Sequence, residues 1–211
     1  MAYVLGYFAA DGSMIRNKRG AHFIEFTSTD KSLIILVQQA LSSGHSISVR
    51  PARLPTHKIS YRIQIGSKIL FTDLTRLGFT QNKSCTLRFP AFLPAHLLGH
   101  FVRGYFDGDG SVYFHRHAVK DRKNRRWIFH CRFTSGSKSF LDSLHKLLLT
   151  HGIRGGFVLQ KKGGHELVLS HKDSVALYRL MYNTVPDSGL YLIRKRNTFK
   201  DALQTLYEMR P

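Results

Sequence analysis

Cysteine is nearly missing from this chain of 211 residues: Cys85 and Cys131 are the only two, far apart and in no paired motif. A disulfide framework is excluded by count, and both suit a reducing interior as small core residues. Acidic residues are scarce as well, 13 Asp and Glu against 32 Lys and Arg, which leaves a net charge of +19. Mere solubility needs a magnitude of only about 2–8, so an excess this large points to a polyanionic partner. Long apolar runs are missing too. None approaches the roughly 18 residues of a membrane span, and no helical pattern sets a basic face beside a greasy one. The opening "MAYVLGYFAADG" is apolar but has no basic leader, so it reads as a mature start without a secretion signal. The expectation is an intracellular protein, in cytoplasm or an organelle interior, whose partner is nucleic acid rather than membrane.

What is present is a fold-sized core and a repeat. At 43% hydrophobic and 12% aromatic the chain can bury a core, so disorder is unexpected. "LGYFAADGSM" from Leu5 and "RGYFDGDGSV" from Arg103 share Gly-Tyr-Phe-x-x-Asp-Gly-Ser, with Asp11 and Asp109 standing 98 residues apart. Three further segments recur in the same order: "FTSTDKSLI" (26–34) with "FTSGSKSFL" (133–141), "IQIGSKILFTDLTRLG" (63–78) with "LVLSHKDSVALYRLMY" (167–182), and "NKSCTL" (82–87) with "RKRNTF" (194–199). Chance similarity would not keep that order, so the chain is a duplication.

Each copy reads helix-strand-strand-helix-strand-strand-helix. Residues 2–11 have helical spacing, and Gly12 is suited to a left-handed helix end. Trp127, Phe129, Cys131 and Phe133 alternate with Arg126, Ile128, His130, Arg132 and Thr134, a strand with one greasy and one mostly basic face. Helices are expected at 31–42 and 138–151, with Asp30 and Ser137 as N-caps. Hairpins follow at 46–53 with 58–65 and 156–162 with 165–170, then helices at 67–77 and 172–182. Residues 84–94, with Pro90 and Pro94, form a linker between an N-terminal repeat (1–83) and a C-terminal repeat (95–211). The segment "RNTFKDALQTLYEM" closes the chain as a helix.

Gly6 and Ala10, like Gly104 and Gly108, are four residues apart and therefore share a helix face. Such small-residue stripes let two backbones approach closely. If the two motif helices pair, Asp11 and Asp109 arrive together at helix C-termini, where each macrodipole adds roughly half a negative charge. That concentration of negative charge calls for a cation, and hard oxygen ligands select Mg²⁺ or a similar ion. A single Asp-Gly would be an ordinary turn; two copies in a basic chain favour a site.

"YVLGYFAADG" and "FVRGYFDGDG" resemble the two signature motifs of the LAGLIDADG homing endonucleases, in the single-chain, double-motif form, and the resemblance covers essentially the whole chain. It implies an α+β fold of two pseudo-symmetric αββαββα halves, with four-stranded antiparallel sheets forming a saddle over DNA and the motif helices packed at the interface. It implies a site-specific, double-strand DNA endonuclease dependent on Mg²⁺, or on Mn²⁺ or Ca²⁺ at the same site. The metal ligands carried over are Asp11 and Asp109, with the carbonyls of Ala10 and Gly108 in support. Two departures stand out. Ala9 replaces the acidic residue that the second motif keeps as Asp107, and Ser28 and Ser135 stand where some relatives carry Gln.

Lys83 and Lys195 align across the repeat in a region where the family commonly keeps a basic residue near the active site. A lysine there could stabilise the pentavalent phosphate or help activate water. His96 and His100 have zinc-like spacing but no third ligand, so a solvated helix face is the better reading. Strand parity assigns Asn17, Arg19, Arg62, Gln64, Tyr113, His115, His117, Arg126, His130 and Arg132 to a DNA-facing surface, with Arg50, Gln160 and Lys162 as neighbours. The loop "VKDRKNRR" (119–126) reads as a basic arm. Both motif helices lie in one chain, so the protein is expected to act as a monomer on a long asymmetric duplex target. Two rivals share the fold: an RNA-binding maturase acting on intron RNA, and a non-catalytic DNA-binding regulator.

Overall fold

The computed structural model describes residues 1–52, 54, 56, 58–90, 92–118, 125–186 and 189–207. The chain divides into two compact units, Met1–Gly108 and Asp109–Pro211. Most of the expected basic arm, residues 119–124, lies outside the described residues.

The first unit begins with helix α1 (Ala2–Asp11), followed by strands β1 (Gly12–Arg16) and β2 (His22–Ser28), helix α2 (Lys31–Ala40), strands β3 (Ile47–Arg50) and β4 (Ser60–Gly66), and helix α3 (Lys68–Arg76). Two short 3₁₀ turns, Lys83–Cys85 and Ala95–Leu97, lead into helix α4 (Leu98–Asp109). The sheet is antiparallel in the order β1-β2-β4-β3. Its greasy face is what strand parity demands: Ile24, Phe26 and Ile63 are buried against Val4 and Phe8 of α1 and Leu33, Ile34 and Val37 of α2. The Phe8 ring meets Phe26 and Phe79 edge-on at 5.7 and 5.3 Å, aromatic geometry that adds to the area buried.

The second unit repeats the plan. Strands β5 (Gly110–His117) and β6 (Arg126–Ser135), helix α5 (Lys138–Leu149), strands β7 (Phe157–Lys161) and β8 (Gly164–Ser170) and helix α6 (Lys172–Tyr182) are followed by a closing helix, α7 (Ile193–Tyr207). The sheet order is again antiparallel, β5-β6-β8-β7. Phe129, Cys131, Phe133, Leu167 and Leu169 fill its inner face against Phe140, Leu141, Leu144 and Phe199. The α+β duplication read from the sequence is the architecture of the chain. The β5–β6 ladder pairs eight residues per strand, whereas β1–β2 pairs five, so the two first hairpins differ in length.

Several local expectations are corrected. Gly12 is extended (φ −77°), not left-handed; a Cβ there would run into the Phe8 ring, so glycine is required by packing. Ser137 caps α5 by accepting from the Phe140 N–H at 3.3 Å, but the Asp30 side chain makes no such bond to α2. Cys131 is buried, and burial pushes its thiol well up, whereas Cys85 is exposed in a 3₁₀ turn and is no core residue. Among the described residues no helix is long and apolar enough to cross a membrane.

Candidate active site and nucleic-acid interface

Within the first unit, α1 and α4 lie backbone to backbone. A Cβ on Gly6 would overlap the Phe101 carbonyl and stand 2.9 Å from the Tyr105 nitrogen; one on Gly104 would overlap the Tyr3 carbonyl and stand 2.8 Å from the Tyr7 nitrogen. A Cβ on Gly108 would come within 2.5 Å of the Ala10 methyl and 3.0 Å of the Asp11 carboxylate. The two glycine stripes thus face each other, and the Asp11 carboxylate reaches the last turn of α4. Asp107 is buried and accepts from the Tyr3 hydroxyl at 2.7 Å, so it serves the helix pair. Its counterpart Ala9 is also buried.

Asp11 is exposed at the C-terminus of α1. Beside it, the buried Lys83 donates from Nζ to the Ala10 carbonyl at 3.2 Å, with its ammonium 5.5 Å from the Phe8 ring centre. The second unit shows the related arrangement: Lys195, also buried, donates to the Gly110 carbonyl at 2.5 Å, next to half-buried Asp109. Each aligned lysine therefore sits at the end of its unit's motif. Tyr7, whose hydroxyl donates to the Thr27 carbonyl at 3.1 Å, has its phenol pushed up first by burial and then by the Asp11 charge. Ser28 and Ser135 do the same job in the two units, accepting from the Asp30 and Ser137 N–H groups at 3.0 and 3.1 Å.

The polar sheet faces differ. In the first unit three side chains converge on Glu25: Arg50 Nη2 at 3.3 Å, Arg62 Nη1 at 3.1 Å and Gln64 Nε2 at 3.3 Å. Asn17 and Arg19 belong instead to the β1–β2 turn, where the Asn17 Oδ1 accepts from the Arg19 and Ala21 N–H groups at 3.0 and 2.9 Å. In the second unit Tyr113 stacks on His130 at 5.0 Å and 19°, lies 4.7 Å from His115, and bonds through its hydroxyl to His117. His130 has its pKa lowered by burial and then by the Arg132 charge, which favours a neutral ring. Arg126 is exposed opposite His117, and Arg132 donates to Glu166 at 3.4 Å.

The register of β7 and β8 moves two assignments. Lys161 lies 2.8 Å from Glu166 on the polar face, while Gln160 pairs with His165 on the face of Leu167 and Lys162 sits in the turn. Sequence reasoning missed Glu25, Glu166 and Lys161. The signal was an acid at polar parity inside "HFIEFTS" and "GHELVLS", each the sole acid of its sheet. His96 is exposed, and His100 is held by Arg103 Nη2 at 3.0 Å with its pKa lowered by burial and then by that charge. Among the described residues no group of three or more His, Cys, Asp or Glu is placed to hold a metal ion.

The model of the LAGLIDADG-like domain matches residues 1–73 and again 97–181. The chain belongs to that family. No curated protein matches it in sequence. The LAGLIDADG fold is shared with solved structures at low identity. The homing endonuclease I-WcaI bound to its DNA recognition sequence is 15% identical with a TM-score of 0.62, covering 94% of this chain and 84% of that one. The LAGLIDADG meganuclease I-AabMI bound to uncleaved DNA is 13% identical with a TM-score of 0.64, covering 96% and 88%. The N-terminal LAGLIDADG domain of DUF199/WhiA is 14% identical with a TM-score of 0.56, covering 89% and 82%.

Proposed function

We propose that this LAGLIDADG protein is a site-specific double-strand DNA endonuclease that works as a monomer on a long asymmetric target. The observation that carries the reading is the repeated motif end: an aspartate at a helix C-terminus with a buried lysine bonded to the adjoining main chain, in both units. Support comes from the excess of basic residues, the polar sheet faces and a fold that similar proteins use on DNA.

The donors available for a cation are hard oxygens, the Asp11 and Asp109 carboxylates with the neighbouring carbonyls of Ala10 and Gly108. Mg²⁺ is commonly held by one or two carboxylates plus substrate phosphate and water, so this set fits it, and Mn²⁺ or Ca²⁺ by the same preference. Because Ala10 already accepts from Lys83, the carboxylates are the stronger ligands. When bound, the ion supplies Lewis acidity and a more acidic water. Lys83 and Lys195 place positive charge where the phosphate gains negative charge, and their burial keeps them from being solvated away. Arg50, Arg62, Gln64, Tyr113, His115, His117, Arg126, His130 and Arg132 supply donors and aromatic faces to the duplex. Lys161 is added to that set, and Asn17 and Arg19 serve at the hairpin tip.

If the +19 charge lies largely on the DNA-facing surface, affinity for duplex should fall steeply with salt. The expected log–log slope is about −0.9 per phosphate neutralised, so about six to ten contacts cost on the order of 10³–10⁵ in affinity between 50 and 200 mM salt. A binding titration across that range checks it, and a nearly flat line would place the basic residues elsewhere. Binding without cleavage would support the regulator, and preference for intron RNA over duplex the maturase.

A further inference from the structure

The eight strands contain only two acidic residues, Glu25 and Glu166, one in each sheet, and each lies beneath basic side chains. Glu25 is 9% exposed in its side chain, whereas Arg50 above it is 42% and Arg62 27% exposed. A glutamate meant to read cytosine would have to present its carboxylate outward. This one is covered, and its oxygens already accept from Arg50, Arg62 and Gln64. Fold stability is a weak reason to keep it, since part-exposed ion pairs contribute about 0–1 kcal/mol. Its effect falls instead on the arginines. Arg62 is anchored twice, by Nη1 to Glu25 and by Nε to the Ser48 hydroxyl at 3.3 Å. A guanidinium has five N–H donors in a fixed plane, so two anchors fix the direction of the remaining edge. Gln64 stands directly opposite Glu25 in the register and is held by it in the same way.

We propose that Glu25 is the specificity-determining residue of the first sheet. It orients Arg50, Arg62 and Gln64 towards base edges and, by offsetting one of the two positive charges while holding both arginines, draws them off the phosphate backbone. Glu166 does the same for Arg132 and Lys161 in the second sheet. The inference rests on the DNA-binding reading above and adds to it which residues convert charge into selectivity. An arginine held to a carboxylate has less to gain from a phosphate, while its outer edge still matches guanine O6 and N7. Released, it becomes a general phosphate clamp that positions but does not specify.

The test uses the full chain, a random-sequence duplex and selection from a pool of randomised duplexes. Glu25→Gln keeps the shape and removes the charge. Its salt slope on the random duplex should steepen by about 0.9–1.8, one or two added phosphate contacts, with binding on the order of three- to ten-fold tighter at low salt. The selected sequences should lose preference over one half-site and keep it over the other. Glu166→Gln should shift the opposite half-site, which gives a second reading if the first variant fails to fold. Arg62→Gln removes the held guanidinium itself and should lose preference over the same half-site as Glu25→Gln. An unchanged slope and preference in folded Glu25→Gln, or an unchanged preference over that half-site in Arg62→Gln, overturns the proposal while the DNA-binding reading stands. If the unaltered protein itself binds duplex weakly and with a flat slope, the DNA-binding reading falls first.

Discussion

Asp11→Asn and Asp109→Asn should each abolish double-strand cleavage while duplex binding stays within a few-fold of the unaltered protein. The substitution keeps size and shape but removes the anionic oxygen that a hard cation prefers. A metal contributes several kcal/mol of transition-state charge stabilisation, and each 1.36 kcal/mol is tenfold in rate, so a loss on the order of 10³-fold or more is expected. Binding is spared because the two aspartates are negative groups in a chain of +19, and removing either leaves the basic faces untouched. Single-turnover cleavage of a supercoiled plasmid, beside a gel-shift titration, separates the two effects. Each substitution should leave at most nicking of one strand. Full linearisation by the doubly substituted protein in Mg²⁺ contradicts the assignment.

The second large effect concerns the paired glycines. Glycine inside a helix costs roughly 0.5–1 kcal/mol relative to alanine, so propensity alone says that Gly6→Ala and Gly104→Ala should stabilise. The structure reverses that sign. The added methyl would meet the backbone of Phe101 and Tyr105 in one case and of Tyr3 and Tyr7 in the other, and backbone atoms inside a helix cannot give way like a flexible side chain. Overpacking costs about 1–3 kcal/mol, and valine more than alanine at the same position. A net loss of about 2 kcal/mol lowers Tm by roughly 4–8 °C in a chain of this length. Gly44→Ala, where a Cβ meets nothing within 4 Å, is the control and should change Tm little. A rise in Tm for Gly6→Ala would mean that the helices do not approach as closely as described.

How far the sequence could be read follows from what kind of interaction each feature depends on. The duplication and the helix–strand order were legible because they are written in local periodicity, and α6 begins and ends at the residues its pattern marks, Lys172–Tyr182. Strand β3 is shorter than its pattern, four residues from Ile47 to Arg50, because Pro51 follows and has no N–H to extend the ladder. Gly12 showed that a glycine after a helix is ambiguous: a left-handed turn and a neighbouring ring both demand it, and only the position of Phe8 decides. Lys162 falls in the turn rather than on the sheet, because the two-residue turn between β7 and β8 is Lys162 and Gly163, with Gly163 at φ +87°, one position earlier than the 163–164 expected. The face of Lys161 follows from the ladder, which pairs it with Gly164 and its neighbour Leu159 with Glu166. Glu25 was hidden for a related reason. Its partners come from β3 and β4, so their convergence depends on register across three strands, which no single segment records. The lysines at the motif ends were found only through the repeat, since their bonds to Ala10 and Gly110 span 73 and 85 residues of chain.

The most direct measurement is incubation of the unaltered protein with a supercoiled plasmid carrying the sequence it selects from a pool of randomised duplexes. The reaction is run with Mg²⁺ and with a chelator in its place, and light scattering gives the stoichiometry of the complex. A single linear product is expected with Mg²⁺, none with the chelator, and one protein per duplex on a non-palindromic site. Stable one-to-one binding with the plasmid still supercoiled in Mg²⁺, or a two-to-one complex on a palindrome, would contradict that expectation.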